Sequence, residues 1–326
     1  MTTLHVHFDR LLTEAEAAQF RPLLSSGVAL TEGGDPPAQT AVLISGRPTR
    51  EQLAAAPGLR ALIIPWAGLP DETRELMGDF PGVSVHNLHH NAAPVAELAL
   101  MLLLASAKFA LRYDHALRAN DWRIRYERQT PTVLLEGKTA LILGYGAIGR
   151  RVAAACRALG MTTLATRRSL DAPETDGETE VHPAGALIDL LPRSNAVIIC
   201  LPHTPETDGL LGAAELAMLP EGAVLVNIGR GRIVDEQALY EGLRHGRPHA
   251  AGLDVWYSYP PDEAARAAWP PSAYPFHELD NVIMSPHRGG ASDETPRLRM
   301  TALAEMLNAA AAGREMGNVV DVAAGY

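Results

Sequence analysis

The stretch Thr139-Ala-Leu-Ile-Leu-Gly-Tyr-Gly-Ala-Ile-Gly149 decides how this chain folds. Residues 139–143 form a short apolar run suited to a strand buried on both faces, and Gly144, Gly146 and Gly149 follow at G-x-G-x-x-G spacing. Beyond them Ile148, Val152, Cys156 and Leu159 recur at helical period, and Gly160 closes the run. Strand, glycine turn and helix in that order make a phosphate cradle. Gly144 permits the tight turn, Gly146 lets a pyrophosphate approach the backbone, and Gly149 lets helix and strand pack closely. The amides and dipole of the helix N-terminus then face the anion.

Outward from the cradle, apolar runs alternate with helical patterns. On the N-terminal side strands are expected at residues 4–8, 41–45, 61–64 and 83–85, with helices at 13–24, 50–56 and 71–77. On the C-terminal side strands are expected at 161–166, 196–200, 223–227, 250–253 and 282–284, with helices at 184–191, 213–219 and 235–244. This alternation predicts an α/β fold of two doubly wound parallel-sheet domains, a Rossmann-type dinucleotide-binding domain and a flavodoxin-like substrate domain. A long apolar helix, 95 to about 117, leads through the polar and aromatic segment 120–129 into the cradle strand. The last helix, about 293–312 with Ser292 as N-cap, is expected to return to the first domain. The expected division is therefore 1–100 with 290–326 for substrate and 101–289 for the dinucleotide. Segment 259–279, crowded with Pro and aromatic residues, is too long for an idle loop.

Composition narrows the function. A chain of 326 residues exceeds the usual span of one hydrophobic core. An apolar fraction of 47% with 20% charged residues describes a soluble globular protein. The net charge of -10, without a dense Lys/Arg run, argues against a nucleic-acid partner. The most apolar stretch, 95–111, is interrupted by Glu97 and Lys108 and is too short to cross a bilayer comfortably, so no membrane partner is expected. Residues 1–9 read as a first strand rather than a leader, and a cytoplasmic location is expected. Cys156 and Cys200 read as core residues, with no disulfide framework and no metal site.

Seven motifs occur in a specific order: Val95-Ala-Glu97, Leu135-Glu-Gly-Lys138, Gly144 to Gly149, Leu201-Pro-His-Thr-Pro-Glu-Thr207, Asn227-Ile-Gly-Arg-Gly-Arg-Ile-Val-Asp-Glu-Gln-Ala-Leu239, Ala251-Gly-Leu-Asp-Val255 and Ser285-Pro-His287. Together they resemble the D-2-hydroxyacid dehydrogenase family, and the resemblance covers nearly the whole chain. It implies an oxidoreductase that moves a hydride between NAD(P)H and a small 2-oxo/2-hydroxy acid. A homodimer is expected separately, by analogy, because a long apolar helix at a domain junction is often a subunit contact. A formate-type dehydrogenase and a corepressor-like dinucleotide sensor are the alternatives within that resemblance.

The resemblance also implies roles. Arg230 matches the arginine that binds the substrate carboxylate, and a planar guanidinium suits that task because it offers two parallel hydrogen bonds. His287 matches the histidine that gives and removes the carbonyl proton, a task for a group that titrates near neutrality. Trp66, Ala67 and Gly68 fall where backbone amides meet the carboxylate, and Asn91 matches an asparagine facing the substrate. Cofactor contacts are expected from Gly144, Tyr145, Gly146, Ala147, Ile148 and Gly149, from Leu201, Pro202 and Thr207, and from Ile228, Gly229, Asp254 and Gly289. The chain departs from the family pattern at Tyr259, where a glutamate usually pairs with the histidine; the phenol either orients His287 or lines the pocket. At the end of the second strand no carboxylate is available for the ribose hydroxyls. Arg167, Arg168 and Ser169 stand there instead, which predicts NADP, with NAD as the alternative.

Overall fold

The structure, a computed structural model, describes residues 3–128 and 130–325, so Met1, Thr2, Gln129 and Tyr326 lie outside the described residues. The chain divides into two compact units, 1–91 with 291–326, and 92–290. The boundary falls before the long helix rather than inside it at residue 100.

The first unit holds a five-stranded parallel sheet of β1 (Leu4–Phe8), β2 (Val28–Glu32), β3 (Val42–Ile44), β4 (Ala61–Ile63) and β5 (Ser84–His86), in the order β2-β1-β3-β4-β5. This is the flavodoxin-like order. Every residue of β3 and β4 is buried, as strands covered by helices on both faces require. Helices Glu14–Phe20 and Arg50–Ala55 each begin with a capping box, Thr13 with Glu16 and Thr49 with Gln52, which satisfies otherwise orphaned amides. The C-terminal helix Thr295–Ala311 buries Met300, Leu303 and Leu307 in one cluster with Val6, Phe8 and Phe20, and this packing draws residues 291–326 into the unit. Ser292 does not cap that helix. Its backbone N–H donates to the Thr295 side chain at 3.1 Å, and the helix starts at Thr295.

The second unit holds eight strands: β6 (Thr139–Leu143), β7 (Thr162–Arg167), β8 (Glu174–Asp176), β9 (Thr179–Pro183), β10 (Ala196–Ile199), β11 (Val224–Asn227), β12 (Ala250–Leu253) and β13 (Val282–Met284). Their order is β13-β12-β11-β10-β6-β7-β9-β8, and only β8 runs antiparallel to its neighbour. The first strand, β6, therefore lies between β7 and β10. Strand order reverses there, and the C-terminal edge at such a point is where open α/β sheets bind ligands.

Helix Ala92–Ala107 packs on β11, β12 and the helix after β6. A Cβ at Gly252 would lie 2.7 Å from Leu102 Cβ, so glycine in β12 is what lets this helix sit directly on the strand. The expected continuous helix to about 117 is instead two, Ala92–Ala107 and Ala110–Arg118, bent by 67°. The joint is Phe109, at φ 51 in the left-handed region. That conformation costs ~1–2 kcal/mol for a residue with a Cβ. Burial of the ring, only 6% exposed and tilted against His249, returns roughly 1.5–3 kcal/mol and outweighs it. Among the described residues no single helix is long and apolar enough to cross a membrane. Cys156 is buried, and its thiol is pushed up to about 12 by burial, as befits an inert core cysteine.

Candidate active site

The cradle is built as its glycines require. Gly144 has φ +96, and a Cβ there would come within 3.0 Å of the Cys200 carbonyl. A Cβ at Gly149 would lie 2.1 Å from the Gly144 oxygen, so strand end and helix start can touch only through glycine. Gly146 faces open space, and helix Ala147–Ala158 begins beside it with no side-chain cap on its first amides. Unclaimed donors beside a bare backbone fit a dinucleotide's pyrophosphate. Gly146, Ala147, Ile148 and Gly149 stand at this helix start. Tyr145 does not offer its side chain: the ring is buried beneath the Arg150 guanidinium at 4.5 Å, and its N–H donates to Thr166 O at 3.0 Å.

At the end of β7 the structure corrects the expectation that no carboxylate is near. Glu174, on the exposed strand β8, accepts a hydrogen bond from Arg167 Nη2 at 2.7 Å. Asp176, two residues on, pairs with Arg150 of the cradle helix. Arg168 and Ser169 are exposed at the same strand end. Strands β8 and β9 were not legible in the sequence, and with them Glu174 and Asp176 were missed.

The loops after β10 and β11 are pinned to each other. Thr207 Oγ1 donates to Pro202 O and accepts the Thr204 N–H, both at 2.8 Å. A Cβ at Gly229 would lie 2.5 Å from Leu201 O, and one at Gly231 would lie 2.4 Å from Trp256 O. Buried Asn227 receives the Gly229 N–H at 3.0 Å and donates to Arg230 O at 2.9 Å, while Ile228 is buried beside it. The backbone of Arg230 is thus fixed while its side chain is exposed, with Nη1 donating to Gly229 O at 2.7 Å. Asn-x-Gly at a strand end is an Asx-turn signal that could have assigned Asn227 this role. Arg232 is mostly exposed and pairs with Asp208 at 3.1 Å, which also meets His203 at 2.7 Å.

His287 sits after β13 at φ 57, left-handed and not glycine. This conformation turns the N–H groups of Arg288 and Gly289 onto the two oxygens of Asp254, at 2.8 and 2.9 Å. Ser285 Oγ donates to Asp254 Oδ1 at 2.5 Å, and Trp256 Nε1 donates to Ser285 O at 2.8 Å. Asp254 is 2% exposed, so these charge-assisted bonds form away from water and offset the cost of the backbone at His287. A Cβ at Gly289 would lie 2.9 Å from Asp254 Oδ2, which keeps that position glycine. Three donors occupy a carboxylate that offers about four acceptor positions, leaving room for one more.

Tyr259 Oη lies 3.0 Å from His287 Nδ1 and accepts the Trp256 N–H at 3.1 Å. Burial raises the phenol above its usual range, so it keeps its proton, and that proton is available to Nδ1. Such a donor places the neutral imidazole's own hydrogen on Nε2. Burial, then the Arg230 guanidinium, hold the His287 imidazolium below its usual range, with Asp254 opposing. Arg230, Asp254, Tyr259 and His287 therefore gather at the ends of β11, β12 and β13, on the same sheet edge as the cradle.

The remaining expected residues belong to the first unit. The Trp66 indole packs so closely on Gly46 that a Cβ there would meet it at 1.8 Å. Asn87 Nδ2 holds Ala67 O at 2.8 Å, which fixes the turn through Gly68. Asn91 Oδ1 is buried without a hydrogen-bond partner among the described residues, as is His90 Nδ1. Among the described residues no group of three or more His, Cys, Asp or Glu is assembled to hold a metal ion.

Comparison with known proteins agrees with this geometry. The family profile described as D-isomer specific 2-hydroxyacid dehydrogenase, NAD binding domain, matches residues 100–289. The chain is 39% identical over 232 residues to a glyoxylate reductase of Aeropyrum pernix, covering 69% of this chain and 65% of that protein. It is 31% identical over 229 residues to a D-3-phosphoglycerate dehydrogenase of Methanocaldococcus jannaschii, covering 70% of this chain but 41% of that one. It thus spans about half the length, or less, of the phosphoglycerate dehydrogenases it matches. A solved D-isomer specific 2-hydroxyacid dehydrogenase of Xanthobacter autotrophicus Py2, in complex with NADPH and MES, superposes with a TM-score of 0.78 at 26% identity, covering 100% of both chains. With its cradle, its Arg230 loop and its His287 loop all inside the matched segment, the chain belongs to the D-isomer specific 2-hydroxyacid dehydrogenase family.

Proposed function

We propose that the protein is an NADP(H)-preferring reductase of small 2-oxo acids, able to run in reverse as a D-2-hydroxyacid dehydrogenase. The observation that carries this reading is the hydrogen-bonded Tyr259–His287 pair beside the Arg230 guanidinium, on the sheet edge that bears the glycine cradle. Arg230 holds the substrate carboxylate through its planar fork and polarises the adjacent carbonyl. As the imidazolium, His287 delivers its Nε2 proton to the carbonyl oxygen and keeps its Nδ1–H, which donates to Tyr259 Oη; the neutral ring then regains a proton from solvent. Tyr259 steadies the imidazole through Nδ1. The nicotinamide ring, when bound, supplies the hydride to C2. Ala67, Gly68 and Asn91 serve as further substrate contacts, a role supported by the unpartnered Asn91 oxygen.

NADP(H) is favoured by Arg167 and its neighbours at the end of β7 and by the NADPH complex of the Xanthobacter protein. The substrate class is supported by the glyoxylate reductase relative. A dinucleotide of this kind is held inside cells, consistent with a cytoplasmic enzyme. Met101, Leu104, Leu111, Leu117, Trp122 and Tyr126 expose apolar surface along the bent helix pair and the segment after it, which supports a homodimer through that face.

A panel of glyoxylate, hydroxypyruvate, pyruvate and phenylpyruvate with NADPH and NADH tests the reading. Turnover of at least one 2-oxo acid is expected, with the lower KM for NADPH. Arg230→Ala should lower kcat/KM by several orders of magnitude with dinucleotide affinity nearly intact, and Lys should rescue little. Formate oxidation without 2-oxo acid reduction, or dinucleotide binding without any turnover, would overturn it.

A further inference from the structure

We propose that the β8–β9 hairpin selects the dinucleotide at its adenosine ribose, with Glu174 competing against a 2′-phosphate for Arg167. The proposal rests on dinucleotide binding at the cradle and deepens it, by assigning a selector that lies outside the strand end where such selection is usually read.

Glu174 and Asp176 are two residues apart on one strand, so their side chains share a face. Each meets an arginine from a different part of the cradle. Asp176 pairs with Arg150, which is itself stacked on the Tyr145 ring, and so ties the hairpin to the cradle helix. Glu174 pairs with Arg167 at the end of β7, where the ribose substituent of a dinucleotide falls in this fold. The hairpin is also held along β7 by β9, in register from Thr163 with Thr179 to Arg167 with Pro183. This anchoring sets the Glu174 carboxylate on the guanidinium before any ligand arrives.

The pair is exchangeable. Both partners are partly exposed, at 29% and 43% of their side chains, and the Nε–H of Arg167 has no partner among the described residues. A 2′-phosphate brings up to two negative charges and three acceptor oxygens, against one charge from Glu174, and takes the guanidinium fork from it. A 2′-hydroxyl has no charge with which to displace Glu174, so NAD(H) leaves the pair intact. Glu174 thereby restrains NADP(H) binding and leaves NAD(H) binding almost untouched.

Direct fluorescence titration of NADPH and NADH against the wild type, Glu174→Gln, Arg167→Ala and the double variant tests this. Glu174→Gln should tighten NADPH by about two- to five-fold, the scale of one exposed ion pair, while NADH changes by less than about 1.5-fold. In the Arg167→Ala background the same substitution should have no effect on NADPH. The wild-type ratio of the two affinities separately tests the proposed NADP(H) preference; the displacement of that ratio by Glu174→Gln tests the selector, whichever nucleotide the wild type prefers. An unchanged ratio, tightening that persists without Arg167, or weaker NADH binding in Glu174→Gln would overturn the proposal, the last by showing that Glu174 grips the ribose hydroxyls. A wild type that binds neither nucleotide would refute both readings.

Discussion

The phenol at position 259 gives the sharpest test of the site. In the wild type its oxygen accepts the Trp256 N–H at 3.1 Å and its proton is free for His287 Nδ1 at 3.0 Å. Tyr259→Phe deletes one neutral hydrogen bond to the imidazole, worth ~0.5–1.5 kcal/mol. If the whole of it is felt in the transition state, kcat/KM for reduction falls about 2- to 12-fold. Tyr259→Glu does something different. A carboxylate within hydrogen-bond reach of Nδ1 favours the imidazolium and should raise its pKa by about 1 to 3 pH units. The direction follows from the wild type, where burial and Arg230 hold His287 below its usual 6.5. Reduction uses the imidazolium, so wild-type kcat/KM should climb as pH falls through that lowered value. In the Glu variant the same limb should move to higher pH. The assay is the pH profile of kcat/KM for the best 2-oxo acid at saturating NADPH, with His287→Ala as the reference that loses most activity. A limb that stays in place in Tyr259→Glu, or a His287→Ala enzyme with wild-type reduction, would refute the reasoning.

Gly149→Ala should weaken dinucleotide binding at least tenfold and lower the melting temperature, because its Cβ would lie 2.1 Å from Gly144 O and overpacking costs ~1–3 kcal/mol; nucleotide titration and a thermal melt check both. Asp254→Ala removes the acceptor for Ser285, Arg288 and Gly289, each bond to a charged group being worth ~1.5–3 kcal/mol. It should depress kcat more than about a hundredfold through a displaced His287, and steady-state kinetics showing wild-type kcat would contradict that. His90 is lowered to about 4 by burial, then by Arg299 and His89. Its folded pKa lies below the unfolded one, so its contribution to stability is whole above 6.5 and is lost as pH falls from 6.5 towards 4. Melting temperatures of the wild type should drop across that window more steeply than those of His90→Asn.

What could be read beforehand depended on burial. Strands such as β6, β10 and β11 are covered on both faces and are therefore written as unbroken apolar runs. β2, β8 and β9 lie towards the sheet margins, where solvent permits Thr and Glu, and a three-residue strand reading Glu-Thr-Asp carries no periodic signal at all. The bend at Phe109 escaped for another reason. Neither Gly nor Pro marks it, and only the tertiary pocket for the ring makes the left-handed backbone worthwhile. Arg230, Asp254 and His287 were legible as motif positions, since their chemistry fixes their type. The side chains that hold them were less so. Asn227 is signalled by its local Asn-x-Gly turn, but Trp256 and Ser285 act through contacts between separate loops, and spacing along one chain does not encode those.

The division of the chain also orders events at the ribosome. Residues 92–290 are contiguous, so the cradle sheet can close its core as soon as β13 has emerged. The first unit has all five of its strands by residue 86, yet Met300, Leu303, Ala304 and Leu307 must still cover Val6, Phe8, Ile44 and Ile63. Until synthesis reaches Thr295–Ala311, that face of the nascent sheet stays open to water. The N-terminal strands thus wait on helix Thr295–Ala311, and an apolar sheet face left open for that interval is the kind of surface that aggregates.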